Sequence, residues 1–263
     1  SISEVGGFSM EMEGVRFYLI QVAEKGMCWL KVRTEGEPGH GSIPNQDSAL
    51  IRAAEIAEKL GRNRLPQHNV DAMIRFVNLL SSHLRFPKSL VFKMLLNPTF
   101  SNFILDKVFP DKGVAQTFAA MIHNTANPTV IHAGEKTNVI PSVAELEVDG
   151  RLLPGYTSED FIAEVRSLIG EEPEIEVIRK LTPTEAPADD AIMDLIREVV
   201  LKHDPGTVVI PNLVTAFTDA THWKKLGIKC YGFVPLKLPS DISFRNMFHG
   251  HEVLFEMVEK LIT

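Results

Sequence analysis

Gly39-His40-Gly41-Ser42 sets one histidine between two glycines, after an extended stretch and before a helical one. The glycines free the backbone, so the ring can project into a cleft; a surface turn in which the histidine caps the next helix uses the same residues. Gly134-Glu135-Lys136-Thr137-Asn138-Val139-Ile140-Pro141 is a polar loop entering a strand. Asn138 there can offer its amide to a ligand carboxylate or carbonyl, or form an Asx turn before Pro141. Asp149-Gly150-Arg151-Leu152-Leu153-Pro154-Gly155 ends a strand. Arg151 can grip a carboxylate through two parallel hydrogen bonds, or pair with Asp149 or a nearby glutamate. Thr218-Asp219-Ala220 opens a helix, where such residues serve as an N-cap. His249-Gly250 places a candidate metal ligand just before the last helix, but one histidine does not make a zinc site. Glu4, before Gly6-Gly7, is unremarkable alone. His68, His83, His123, His132, His203 and His222 show no ligand spacing and read as structural.

These residues need elements to position them. Residues 14–34 alternate as two strands around a break at Lys25-Gly26. Residues 46–60 carry apolar positions on one helical face, with Gly61 as the stop. Residues 68–126 read as short helices broken by Pro87, Pro98 and Pro110. Extended pattern returns at 129–132 and 144–153. A helix follows over 158–169, with Thr157 as N-cap, Asp160 three residues on and Gly170 closing it, then a strand at 174–177. Without the helical insert, the order from residue 26 is βαββαβ, a sheet with helices on one face. Residues 183–187 read as a linker. Helix 189–202, strand 208–210, helix 220–226, strand 229–233 and a helix from 253 complete an α/β alternation too short for a full doubly wound domain.

At 263 residues, 44% apolar and 23% charged, the chain has the composition of a globular protein with one large or two small domains. A net charge of −7 argues against nucleic acid as a partner. No run approaches a membrane span, so no membrane partner is expected. Cys28 and Cys230 sit in apolar surroundings and read as buried thiols; with no signal peptide, the expected location is cytoplasmic. The chain opens Ser1-Ile2-Ser3, so its natural start is expected to be missing.

Glu4-Val5-Gly6-Gly7, Gly39-His40-Gly41-Ser42-Ile43-Pro44, Gly134 to Pro141, Asp149 to Gly155, Thr218-Asp219-Ala220, Tyr231-Gly232-Phe233 and His249-Gly250 occur in the order seen in one family. Over almost its whole length the chain resembles the dinuclear zinc peptidases that include aminoacylase, the glutamate carboxypeptidases, acetylornithine deacetylase and succinyl-diaminopimelate desuccinylase. Asn-Val-Ile-Pro, Asp-Gly-Arg-Leu-Leu-Pro-Gly and the helical insert are most similar to the carboxypeptidase S and N-acyl-amino-acid hydrolase branch. The resemblance implies an α/β fold. A lid or dimerisation domain, a ferredoxin-like βαββαβ unit over residues 24–182 with its helical insert, would interrupt a catalytic α/β domain made of residues 1–23 and 183–263.

The resemblance further implies a hydrolase cleaving an amide bond adjacent to a free carboxylate, in a small peptide or an N-acyl amino acid. It implies two zinc ions, which cobalt or manganese can replace, and a homodimer joined through the lid. Glu4 resembles the carboxylate ligand of one metal and His249 the imidazole ligand of the other. His40 resembles the lid histidine that stabilises the oxyanion. Asn138 and Arg151 resemble substrate-positioning groups, with Arg151 on the carboxylate, and Thr218 and Asp219 part of the cleft wall. The family's other metal ligands and its general-base pair fall before the position of Glu4. The catalytic domain is therefore expected to be partial here and this chain inactive alone. A non-catalytic dimerisation or binding module that kept the lid is the alternative expectation.

Overall fold

A computed structural model of the chain describes residues 1–3 and 5–238. Strand β3 (Val15–Glu24) buries Phe17, Ile20 and Val22 as well as Tyr18 and Ala23. A strand apolar on both faces belongs in the middle of a sheet, and β3 is the centre of a six-stranded one. Along one side runs β11 (Val208–Val214), parallel to it. Along the other lie in turn β2 (Ser9–Met12), β12 (Tyr231–Gly232) and β10 (Thr184–Glu185), all antiparallel; β12 also pairs with β1 (Ile2–Ser3). The linker expected at 183–187 is thus a short edge strand. Thr184 is buried opposite Glu24, and the Ala186 amide donates to the Val22 carbonyl at 2.7 Å. Pro183 and Pro187 flank the paired residues, where they interrupt no ladder bond.

Alternate side chains of β3 face opposite ways. The Tyr18 hydroxyl lies 3.0 Å from Asp204, just past helix α7 (Ala191–His203), whereas Phe17 meets the His83 ring edge-on at 5.9 Å, just past α2 (Asp71–Ser82). The sheet is therefore layered between α7 and the helical insert. That insert comprises α2, α3 (Lys88–Leu95), α4 (Pro98–Phe103), a π-helical turn Ile104–Val108 and α5 (Lys112–Ile122). Its Met73, Phe76, Leu80, Phe92 and Phe118 share one core with Phe17, Ile20, Val22 and Ile210. The insert's prolines act as read: Pro87 precedes α3, Pro98 is the first residue of α4, and Pro110 separates the π-helical turn from α5.

The second sheet has four antiparallel strands in the order β6 (Thr125–Ala133), β8 (Val143–Leu152), β4 (Gly26–Glu35), β9 (Glu174–Leu181). Helices α1 (Ala49–Arg62) and α6 (Ser158–Ile169) cover one face, packing Ile56, Leu60, Phe161 and Val165 on Cys28, Leu30, Val32, Leu146 and Val148. This is the βαββαβ unit expected from the sequence. Thr157 and Asp160 cap α6 reciprocally, and Gly170 ends it at φ +95°. Helix α1 differs: it starts behind Ser48 and runs through Gly61 to Arg62, a glycine in the last turn costing too little to stop it. Both cysteines are free thiols, Cys28 buried and Cys230 only half-buried.

The glycine of Asp-Gly-Arg has a physical reason. A Cβ at Gly150 would fall 2.2 Å from the Cys28 carbonyl oxygen and 2.4 Å from the Phe161 ring. Neither backbone nor a buried ring can give way that far. Gly150→Ala is expected to destabilise the fold by at least about 3 kcal/mol. Urea unfolding measures this, and a loss below about 1 kcal/mol would contradict the packing described.

Candidate functional site

Gly150 faces α6, so its neighbours Asp149 and Arg151 face the other side of β8. Arg151 Nε and Nη2 donate to Asp149 Oδ1 and Oδ2 at 2.7 and 2.9 Å, and Trp29 Nε1 donates to Oδ1 at 3.0 Å. The Phe217 ring lies 5.2 Å from Arg151 Cζ. The salt bridge left open by the sequence is therefore present, but it does not consume the guanidinium. Of five N–H groups on arginine, the pair with Asp149 uses one on Nε and one on Nη2. The edge formed by Nη1 and the second Nη2 hydrogen can still grip another carboxylate.

Thr218 follows Phe217. Its hydroxyl accepts from the Ala220 amide at 3.1 Å and so satisfies the first amide of the short helix α8 (Ala220–Lys224). Asp219 occupies the N-cap position without a side-chain cap bond and is exposed. The Thr218 amide donates to Glu24 Oε2 at 2.9 Å. Glu24 and Lys25, taken in the sequence for a strand end and a turn, are both fully buried. Lys25 Nζ donates to the Ala120 and His123 carbonyls at 3.0 and 2.8 Å and to Thr125 Oγ1 at 3.3 Å. An ammonium here satisfies carbonyls that the end of α5 leaves without helical partners. The clue was an Glu-Lys pair in an otherwise apolar run, Val22-Ala23-Glu24-Lys25-Gly26. His123, read as structural, is buried beside them; burial holds its imidazole down to about 4, against a bond to the Ala119 carbonyl.

Burial holds the Lys25 ammonium down to about 7; the Arg151 guanidinium pushes the same way, and Asp149 and Glu164 oppose it. An unfolded lysine titrates near ~10.4, so between about 7 and that value the unfolded chain binds one more proton than the folded one. Lys25 therefore makes folding more favourable as pH rises through this window, by about 1.4 kcal/mol per pH unit. The gain is complete above the ordinary lysine value and lost as pH falls to about 7. Relative to Lys25→Met, the native protein should gain urea stability between pH 7 and pH 9 (about two units). Parallel pH curves for the two proteins would refute it.

His40 and Asn138 form a second group. The two-residue strands β5 (Gly39–His40) and β7 (Val139–Ile140) pair antiparallel, and the Gly41 amide donates to the Asn138 carbonyl at 2.9 Å. A Cβ at Gly41 would press on the Asn138 backbone at 3.2 Å, which accounts for the second glycine. Both side chains are exposed. His40 Nδ1 lies 3.3 Å from the Ser42 amide, which donates to it, and 2.8 Å from Ser42 Oγ. With Nδ1 accepting, the neutral ring carries its proton on Nε2 and presents a donor outward. No hydrogen bond or ion pair among the described residues joins this group to Arg151 and Thr218.

Glu4 and His249, the two expected metal ligands, lie outside the described residues. Among the described residues no three His, Cys, Asp or Glu side chains come together as a metal site. These residues alone do not fit a zinc pair. Nor is any helix among them long and apolar enough to cross a membrane.

Two sheets are thus defined: one between helices, and a ferredoxin-like one whose face opposite α1 and α6 carries an arginine held by Asp149. Together they mark an α/β protein that contains a ferredoxin-like βαββαβ unit with a helical insert. The chain belongs to the M20 peptidases: residues 22–177 match the family described as the peptidase dimerisation domain, M20_dimer. It is 26% identical to N-fatty-acyl-amino acid synthase/hydrolase PM20D1 of Mus musculus, covering 93% of this chain and 51% of that protein. It is 27% identical to the probable carboxypeptidase S-like 2 of Dictyostelium discoideum, covering 84% and 42%. The chain thus spans about half the length of these curated relatives. In structure it is similar to the M20 family metallo-carboxypeptidase Sso-CP2 of Sulfolobus solfataricus, at TM-score 0.53 and 16% identity over 82% of this chain and 52% of that one. The di-peptidase Dug1p of Saccharomyces cerevisiae gives TM-score 0.51 and 11% identity over 88% and 50%. Both are likenesses of fold.

Proposed function

We propose that the protein is a metal-dependent hydrolase of amide bonds adjacent to a free carboxylate, acting on N-acyl amino acids or on peptides with a free C-terminus. The observation that carries this reading is Arg151. Asp149, itself held by the Trp29 indole N–H, engages its inner edge, Phe217 lies against it, and its outer edge is left to bind a carboxylate. Such a fork fixes the amide next to the carboxylate in one place, which favours reaction by removing rotational freedom beforehand. The names of the relatives support the reading, since N-acyl amino acids and carboxypeptidase substrates share a carboxylate beside the scissile amide.

In this account residues 24–182 are the lid, through which the protein forms a homodimer, and residues 1–23 and 183–263 belong to the catalytic domain. His40 Nε2–H donates to the oxygen that gains charge as the amide carbon becomes tetrahedral. Asn138, paired with the His40 strand, steadies the substrate carbonyl or carboxylate from the same side. Thr218 and Asp219 line the cleft wall. Glu4 and His249 would be among the residues holding zinc, which when bound would supply Lewis acidity and an activated water.

Comparison of an N-acyl amino acid with its carboxamide tests the reading in the complete protein. The carboxylate substrate should be preferred by about 10²-fold or more in kcat/KM; equal rates would overturn the reading. A second reading, a dimerisation or binding module without catalysis, is supported by the match of residues 22–177 to the peptidase dimerisation domain. It requires a dimer that binds no zinc and turns over neither compound.

A further inference from the structure

One buried carboxyl group stands apart from Arg151, His40 and Asn138. Glu24 is fully buried at the end of β3, and its hydrogen-bond partners are all neutral. Gln21 Nε2 and the Thr218 amide donate to Oε2 at 3.0 and 2.9 Å, and Thr184 Oγ1 donates to Oε1 at 3.1 Å. An ionised carboxylate buried without a cation is costly, so filling space does not explain it. Its chemistry does. A carboxylate accepts at both oxygens, whereas a glutamine would turn an NH₂ donor towards one set of these donors. The three partners come from β3, from β10 and from the turn after β11. Burial pushes the carboxyl upward from its ordinary value, and the three donors pull it back towards the ionised form.

The Thr218 bond has a consequence on the other sheet. Val214, the last residue of β11, is level with Glu24, so the turn leaves the sheet beside this carboxylate. Fixing the Thr218 amide fixes the residue before it, and the Phe217 ring lies 5.2 Å from Arg151 Cζ. A ring held over a guanidinium attracts it and restricts its orientation. We propose that Glu24 is a positioning residue for Arg151: by anchoring Thr218 it seats Phe217 against the guanidinium, and so keeps the outer edge of Arg151 aimed at the substrate carboxylate. The proposal rests on the reading of Arg151 as the carboxylate-binding group.

The test is steady-state kinetics of the complete, metal-loaded protein on an N-acyl amino acid and its carboxamide. Glu24→Gln is expected to raise KM for the carboxylate substrate about tenfold, with kcat within about twofold and the carboxamide unaffected. Phe217→Leu should do the same, Phe217→Tyr should behave as wild type, and combining Glu24→Gln with Phe217→Leu should add little to either alone. A purely structural role would instead lower kcat for both substrates together. If Arg151→Lys abolishes the preference for carboxylate but Glu24→Gln leaves both KM values alone, or changes both equally, the proposal is wrong and the reading of Arg151 stands. If Arg151→Lys keeps the preference, that reading fails and the proposal falls with it. Should Glu24→Gln not fold, Phe217→Leu decides, and an unchanged KM there overturns the proposal.

Discussion

Arg151→Lys should lower kcat/KM for an N-acyl amino acid by about 10²-fold, and bring its preference over the carboxamide close to one. The lysine keeps a positive charge beside Asp149, which Arg151 now meets at 2.7 and 2.9 Å, so the sheet around it stays neutralised. What is lost is the planar fork. An ammonium cannot bind Asp149 on one edge and a substrate carboxylate in parallel on another. Binding of a charged group through such a pair is worth about 2–5 kcal/mol when the partner is left buried and unpaired. Arg151 is partly exposed, at 23% of its side chain, so the lower part of that range applies. Kinetics on the two substrates check it, and an unchanged preference would mean that the Asp149 salt bridge is the whole role of Arg151.

His40→Ala should act on the other half of the rate expression. Its Nδ1 is engaged with Ser42, so a neutral ring offers one outward donor, Nε2–H. A donor aimed at an oxygen that is charged only in the transition state contributes to kcat and little to KM. Removing one such donor costs about 10²–10³-fold in kcat. Because the side chain is exposed and its strand is held by backbone pairing with Val139 and Gly41–Asn138, the variant should fold as the native protein does. Single-substrate kinetics decide: a loss confined to KM would move His40 from the reacting centre to substrate binding.

The parts of the fold legible in the sequence are those with local causes. The βαββαβ order follows from strand alternation and from Thr157, Asp160 and Gly170, whose capping needs only adjacent backbone. The edge strand at Thr184–Glu185 was hidden because two residues between prolines carry no periodicity, and its partner Glu24 lies far away in the chain. Lys25 was hidden for the same kind of reason. Lys-Gly looks like a turn, and the carbonyls that make its burial possible come from the end of α5, about a hundred residues on. In the site, the Asp-Gly-Arg motif was visible, but its two open meanings, ion pair and carboxylate grip, turn out to be compatible edges of one guanidinium. The pairing of His40 with Asn138 depends on two two-residue strands too short for any pattern to announce.

The central claim is a metal-dependent amide hydrolase that requires a carboxylate beside the bond it cleaves. Turnover of an N-acyl amino acid by the complete protein, followed before chelation, after chelation and after return of zinc, tests it most directly. Chelation should abolish turnover and zinc should restore it, with the carboxamide left nearly untouched throughout. Turnover that survives chelation, or a zinc-loaded protein that cleaves neither compound, would contradict it.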